Sequence, residues 1–194
     1  MGFVLVAYAT KNSIYEKSLA LLIAAAEKLG VQSYFELISD KGGWEKNTEY
    51  KPYFVKDCMT KFPDCNIAYT DADSMIHAYP ILFDSTQSQA LIRKQDFPWR
   101  KNEFLSGTFF LKNCEQCANA VNIWINKVAA GKTVRSKPET WEQFHLGRAL
   151  SEACVNYEQL PHDYIYYDHI ERVEGKVEKP VITHMQYSRK ICNK

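Results

Sequence analysis

The 194-residue chain has no apolar run long enough to cross a bilayer: its most apolar stretch, Leu19 to Ala26, falls far short of the ~20 residues a span needs. The opening MGFVLVAYATKNS has no basic n-region and no proper cleavage site. It is expected to be a first β-strand rather than a signal peptide, with the protein cytoplasmic. G-x-S-x-G, Walker and G-x-G-x-x-G patterns are all missing, which disfavours a serine hydrolase, a P-loop NTPase and a Rossmann dehydrogenase. No internal repeat, low-complexity tract or linker interrupts the chain, so residues 1–194 are expected to form a single domain. Disorder is excluded as the main theme by 46% hydrophobic and 13% aromatic residues with a net charge of only +1.

Charge is scarce only as a sum. From Arg93 to Lys137 nine Lys and Arg stand against three acids, a local +6 that leaves −5 for the remainder. A partner bearing phosphates would therefore be met on one side. Six cysteines without a secretory signal are expected to be free thiols in or near the core. Cys114-x-x-Cys117 combined with Cys58 and Cys65 makes a poor four-thiolate zinc set, because the second pair lacks the spacing of a knuckle.

The apolar pattern predicts an α/β domain. Phe3 to Ala7 is an uncharged β-rich run, as a strand covered on both faces requires. Ser13 and Glu16 form a capping-box pair ahead of Tyr15, Leu19, Leu22, Ala26 and Leu29 at helical spacing, and Gly30 is a stop. Val31 to Ile38 returns to a strand, giving a strand–helix–strand opening with a parallel sheet. Gly42-Gly43 marks a loop, Pro52 starts a helix, and Asn66 to Thr70 is a short buried strand. Further along, Phe104 to Leu111 reads as a strand, Cys114 to Ala130 as a helix and Pro138 to Ala153 as a last helix. Tyr157 to Leu160 and Pro180 to Thr183 are short extended pieces.

The strongest chemical signal is Asp71-Ala72-Asp73, two carboxylates just past the carboxyl end of a buried strand, where open α/β sheets bind ligands. Carboxylate oxygens suit Mg²⁺ or Mn²⁺, and such an ion can clamp a diphosphate. The plain alternative is a loop with turn-forming or helix-capping Asp. RKQDFPWRKNEF (93–104) interleaves aromatics with cations, a pattern that stacks on sugar rings or bases and follows phosphates. Its alternative is a solvated loop with a tucked tryptophan.

The pattern IAYTDADSMIHAYP resembles the D-x-D segment of GT-A-fold glycosyltransferases. FLSGTFFLKN resembles that family's sugar-pocket strand, and TWEQFHL the acidic-Gln stretch, with E-Q where D-Q is usual. PVITHMQYSRK resembles the C-terminal histidine segment of enzymes such as glycosyltransferase family 8, and GGWEKNTEYKP a segment of small bacterial and phage-type members. The order of these segments covers essentially the whole chain. The resemblance implies a single GT-A-like, Rossmann-like domain with a mostly parallel central sheet flanked by helices. It implies a metal-dependent glycosyltransferase using Mn²⁺ or Mg²⁺ and a nucleoside-diphosphate sugar, UDP-sugar foremost.

On this resemblance Asp71, Asp73 and His184 would hold the metal, and Ala9 and Thr10 would border the nucleotide. Ala72 lies within the donor-binding motif. Lys51 and Arg189 would meet the diphosphate, Ser106 and Gly107 would line the sugar pocket, and Glu142 or Gln143 would face the anomeric carbon. Read without the family, Lys51 is equally a solvated charge at a helix start, Ser106-Gly107 a bulge, His184 a surface histidine, and Glu142 an acid favoured by the helix dipole. The acceptor is expected along residues 93–104, a glycan or a nucleic acid such as a hydroxymethylated base that would be flipped out. Two other readings compete. A nucleotidyltransferase should carry a Gly-rich loop after the first strand, where Ala9-Thr10-Lys11-Asn12 has none. A non-catalytic nucleic-acid or glycan-binding module would use the basic segment alone.

Overall fold

The structure, a computed structural model, describes residues 1–97, 100–131, 133, 134, 137, 140–167 and 176–186. Strand β1 (Phe3–Thr10) is buried along all but its last residue, as its lack of charge predicts. Helix α1 (Ile14–Lys28) starts with two side-chain caps, each one residue away from the reciprocal Ser13–Glu16 exchange expected. The Ser13 hydroxyl accepts from the Tyr15 N–H, and the Glu16 carboxylate accepts from the Asn12 N–H. The helix ends where Gly30 adopts φ +67°, a left-handed conformation that costs glycine little. Strand β2 (Ser33–Ile38) then pairs parallel with β1.

Gly42 and Gly43 lie in a loop as expected, a short helix α2 (Trp44–Glu49) follows it, and α3 (Lys51–Lys61) carries Pro52 in its first turn, where no N–H is needed. Strand β3 (Asn66–Thr70) is wholly buried. After it come β4 (Ser74–Ile76), the single-turn α4 (Leu82–Ser85), β5 (Ala90–Phe97) and β6 (Arg100–Leu111). Helices α5 (Glu115–Ala130) and α6 (Glu142–Glu152) precede the short strands β7 (Tyr157–Gln159), β8 (Tyr166–Tyr167) and β9 (Ile182–His184).

The central sheet has the order β2-β1-β3-β6-β5-β7. Strands β2, β1 and β3 run parallel, and β5 is parallel to β7; β6 alone is reversed, antiparallel to both neighbours. The expected mostly parallel α/β sheet is therefore present. A second sheet, β4-β9-β8, brings the chain's last described strand back against the residues following β3.

Alternation along β1 divides the interior. Val4, Val6 and Tyr8 join Phe54 and Val55 of α3, Val121 and Trp124 of α5, and Leu146 and Leu150 of α6. Phe3, Leu5, Ala7 and Ala9 join Leu19 and Leu22 of α1 with Phe83, Tyr164 and Ile182. Helices thus cover both faces. Trp124 is completely buried and edge-on to Phe109 at 5.9 Å, so truncating it to Ala is worth about 3–5 kcal/mol.

Two expectations are corrected here. Most of the basic segment 93–104 is not a loop: it continues β5 into β6, with Pro98 and Trp99 outside the described residues. The last helix begins at Glu142, with Trp141 at the N-cap position making no side-chain cap, rather than at Pro138, which also lies outside them.

Candidate functional site

The Asp71-Ala72-Asp73 turn is tied to strands of both sheets by main-chain bonds. The Asp71 N–H donates to Gly107 of β6 at 2.8 Å, the Ser74 N–H to the Asp71 carbonyl at 3.0 Å, and the Met185 N–H to the Asp73 carbonyl at 2.8 Å. Asp73 is buried and the Asp71 side chain about one-third exposed. The Ala72 methyl packs into the α1-side core.

The β4–β9 register sets Ser74 opposite His184, and the ligand atoms of Asp71, Asp73 and His184 all lie within 4.8 Å of one another. Burial pushes the His184 imidazole down to about 4, with Lys51 adding to the effect and Asp71 opposing it. At neutral pH the ring is therefore uncharged and keeps a lone pair. Two carboxylates and a neutral imidazole make an oxygen-rich donor set that fits Mn²⁺ or Mg²⁺.

Beside this triad lies a buried ion network. Lys51 Nζ sits 3.0 Å from Asp71 Oδ1 and 2.9 Å from Glu142 Oε1, and it donates to the Ser106 hydroxyl at 3.1 Å. The Ser106 hydroxyl donates in turn to Glu142 Oε1 at 2.8 Å, and the Tyr69 hydroxyl to Asp71 Oδ1 at 3.0 Å. Burial alone would lower the Lys51 pKa; the Asp71 and Glu142 carboxylates more than offset it and hold the ammonium well above its ordinary value. Burial pushes the Glu142 carboxyl up, with Lys51 and the Ser106 hydroxyl pulling against it. Its Oε2 has no hydrogen-bond partner among the described residues. The Trp124 indole donates to the Glu142 carbonyl at 2.7 Å and so pins the first turn of α6.

Lys51, Asp71, Asp73, Ser106, Glu142 and His184 are thus brought together from five segments of the chain. Gly107 is there as well, with a steric reason to be glycine: a Cβ would lie 2.2 Å from the Tyr167 hydroxyl and 3.0 Å from His184 Cε1. The room its missing side chain leaves is filled by the protein's own Tyr167, which stacks on His184 at 4.7 Å between centroids. Gln143 points elsewhere, its amide donating to the Glu103 carboxylate. Thr10 ends β1, its carbonyl accepting from Ser13, while the Ala9 side chain faces the α1 side. Arg189 lies outside the described residues. Of the basic segment, Arg93 donates to the Leu160 carbonyl at 3.3 Å and Lys94 lies over the Phe104 ring.

Sequence reasoning did not single out Tyr69, Thr70, Ser74, Thr108 or Tyr167. A signal existed for two of them: Thr70 follows the apolar Ile67–Tyr69 and Thr108 precedes the apolar Phe109–Leu111, and both are wholly buried. Cys58, Cys65, Cys114, Cys117 and Cys154 are free thiols, and burial pushes the Cys58 thiol up to about 12, well away from reactivity.

No protein-family model matches the chain, and no curated protein does. Among solved structures, its fold is similar to the crystal structure of a glycosyltransferase involved in the glycosylation of the major capsid of PBCV-1. The TM-score is 0.72 over 98% of this chain and 97% of that one, at 13% sequence identity. At that identity the likeness is one of fold.

Proposed function

We propose that residues 1–194 act as a single GT-A-type, metal-dependent glycosyltransferase domain, moving a sugar from a nucleoside diphosphate to an acceptor hydroxyl. The observation that carries this reading is the Asp71–Asp73–His184 cluster just past the carboxyl end of β3, beside the buried Lys51–Glu142 pair. The fold it shares with the capsid glycosyltransferase supports it. Asp71, Asp73 and His184 would hold Mn²⁺ or Mg²⁺, and the bound ion supplies positive charge against which a diphosphate can depart.

The chain's own groups do the rest. Lys51 fixes the Asp71 and Glu142 carboxylates in one geometry and keeps a positive charge within the site. Glu142 Oε1 is taken by Lys51 and Ser106; Oε2 is buried and has no hydrogen-bond partner among the described residues, so it would accept from a substrate hydroxyl only where binding opens the site to it. Gln143 steadies the same helical turn through Glu103. Ala9 and Thr10, ending β1, are proposed to border the nucleotide, with UDP the first nucleotide to try. The acceptor would approach over the β5–β6 hairpin, and a module that only binds polyanions is less well supported because Arg93 and Lys94 are engaged within the protein.

The test is a thermal-shift series with UDP, GDP and CDP, each with and without Mn²⁺. A nucleotide shift that requires Mn²⁺ and disappears in Asp73→Asn is expected. Folded protein that shows no metal-dependent nucleotide shift overturns the reading.

A further inference from the structure

Four side chains, His184 among them, form a closed circuit of hydrogen bonds. Thr70 Oγ1 donates to Ser74 Oγ at 2.7 Å, Thr70 Oγ1 and Thr108 Oγ1 are 3.1 Å apart, and His184 contacts Thr108 through Nε2 at 2.8 Å and Ser74 through Nδ1 at 3.2 Å. Two cross-strand pairs create it: Thr70 faces Thr108 across β3 and β6, and Ser74 faces His184 across β4 and β9. All four residues are at most 3% exposed.

We propose that this ring fixes His184 as its Nε2–H tautomer and makes Ser74 the group that a divalent cation displaces from Nδ1. A hydroxyl has one proton to give, and a neutral imidazole has one N–H and one lone pair. The Thr70 proton goes to Ser74, so the Thr70–Thr108 bond takes its proton from Thr108. Thr108 is then an acceptor toward His184, and Nε2 must be the protonated nitrogen. The only proton left is that of Ser74, and the only lone pair left is on Nδ1. Every member gives once and receives once. The opposite circulation would require Ser74 to donate to Thr70, whereas the geometry has Thr70 as the donor.

The ring also decides how the imidazole meets a cation. Nε2 is committed to Thr108, which is wholly buried, while Nδ1 faces Ser74, the neighbour of Asp73 in the chain. A cation held by Asp71 and Asp73 therefore takes the Nδ1 lone pair in place of the Ser74 proton, and the Thr108 bond remains as the outer support that orients the ring. Ser74 and Thr108 are positioning residues of opposite sign. This second half rests on the metal-site reading above; the tautomer does not.

The tautomer is read in metal-free wild-type protein from long-range ¹H–¹⁵N correlations of the His184 ring. An Nε2–H pattern is expected, and an Nδ1–H pattern overturns the ring. The cation half is read by calorimetric titration with Mn²⁺ alone. Ser74→Ala is expected to bind about three- to tenfold more tightly, because a competing hydrogen bond is gone. Thr108→Val is expected to bind about 10- to 100-fold more weakly. Thr108→Ser, which keeps the hydroxyl, should stay within about twofold of wild type and covers the case in which Thr108→Val does not fold. Both Ser74→Ala and Thr108→Val weakening Mn²⁺ would mean a structural role only and would defeat the cation half. Wild type that shows Nε2–H but takes up no Mn²⁺ leaves the ring standing and overturns both the cation half and the metal-site reading.

Discussion

Lys51 and Glu142 form an ion pair at 2.9 Å in which each side chain is only 4% exposed. Asp71 shares the same ammonium at 3.0 Å, so one cation serves two carboxylates. Removing one partner of a buried pair leaves an uncompensated charge and destabilises by about 3–5 kcal/mol. Lys51→Met is expected to cost that much in urea unfolding. The double variant Lys51→Met/Glu142→Leu should recover part of it, since it removes the buried Glu142 charge while Asp71, about one-third exposed, is left to solvent and the Tyr69 hydroxyl. A double variant no more stable than the single one would show that the packing, not the charge, carries the site.

Gly107 and Tyr167 are coupled by shape. Gly107→Ala sets a methyl 2.2 Å from the Tyr167 hydroxyl, and overpacking of this kind costs about 1–3 kcal/mol. Tyr167→Phe removes the oxygen in the way, so the double variant should lose less than the sum of the two single losses. A double-mutant cycle on thermal unfolding measures the coupling, and strict additivity would count against the contact.

Acid should weaken the metal-free fold through His184. Its folded value of about 4 lies below the ordinary 6.5, so between those two pH values the unfolded chain binds the extra proton and the folded one does not. Stability tied to the neutral ring is complete above 6.5 and is lost as pH falls, by about 3 kcal/mol across the window. Urea midpoints at pH 7 and pH 5 should therefore drop more for wild type than for His184→Asn. Equal drops would place the acid sensitivity elsewhere.

Gly147, inside α6, sets two effects against each other. Alanine there gains about 1 kcal/mol of helix propensity. Its Cβ, however, would meet Phe104 Cδ2 at 2.2 Å, Cε2 at 2.6 Å and Cγ at 2.7 Å, one whole edge of the ring. The steric term is expected to win, making Gly147→Ala a net loss of about 1–2 kcal/mol by calorimetry. Gly147→Ala in a Phe104→Leu background should be close to neutral.

The elements readable from sequence are those with long apolar periods or clear punctuation: β1, α1 with Ser13 and Glu16 at its start, β3, and α5. Asp71 and Asp73 were legible because two charges follow a run that has none. Strand β5 was not, because Arg93, Lys94, Gln95 and Asp96 hide its Ala90–Ile92 core inside what reads as a basic loop. Strands β4 and β8 are two or three residues long, too short to show any period; β9 overlaps the extended piece read at Pro180 to Thr183, but nothing local announces that Ser74 meets a histidine 110 residues later. Lys51 shows a different limit. A lysine at a helix start looks solvated until the fold closes two carboxylates around it, and that closure is a property of the tertiary structure.

The small sheet β4-β9-β8 has a consequence for the protein as it is made. A nascent chain that has emerged only as far as Gln159 already contains every strand of the large sheet, yet it lacks both Tyr167 and His184. In that partial chain Gly107 is the floor of an open notch, and Asp71 and Asp73 have no imidazole beside them. On the metal-site reading, the three donors would come together only once residue 184 has been made, so the last described strand would set when the site can take up a cation.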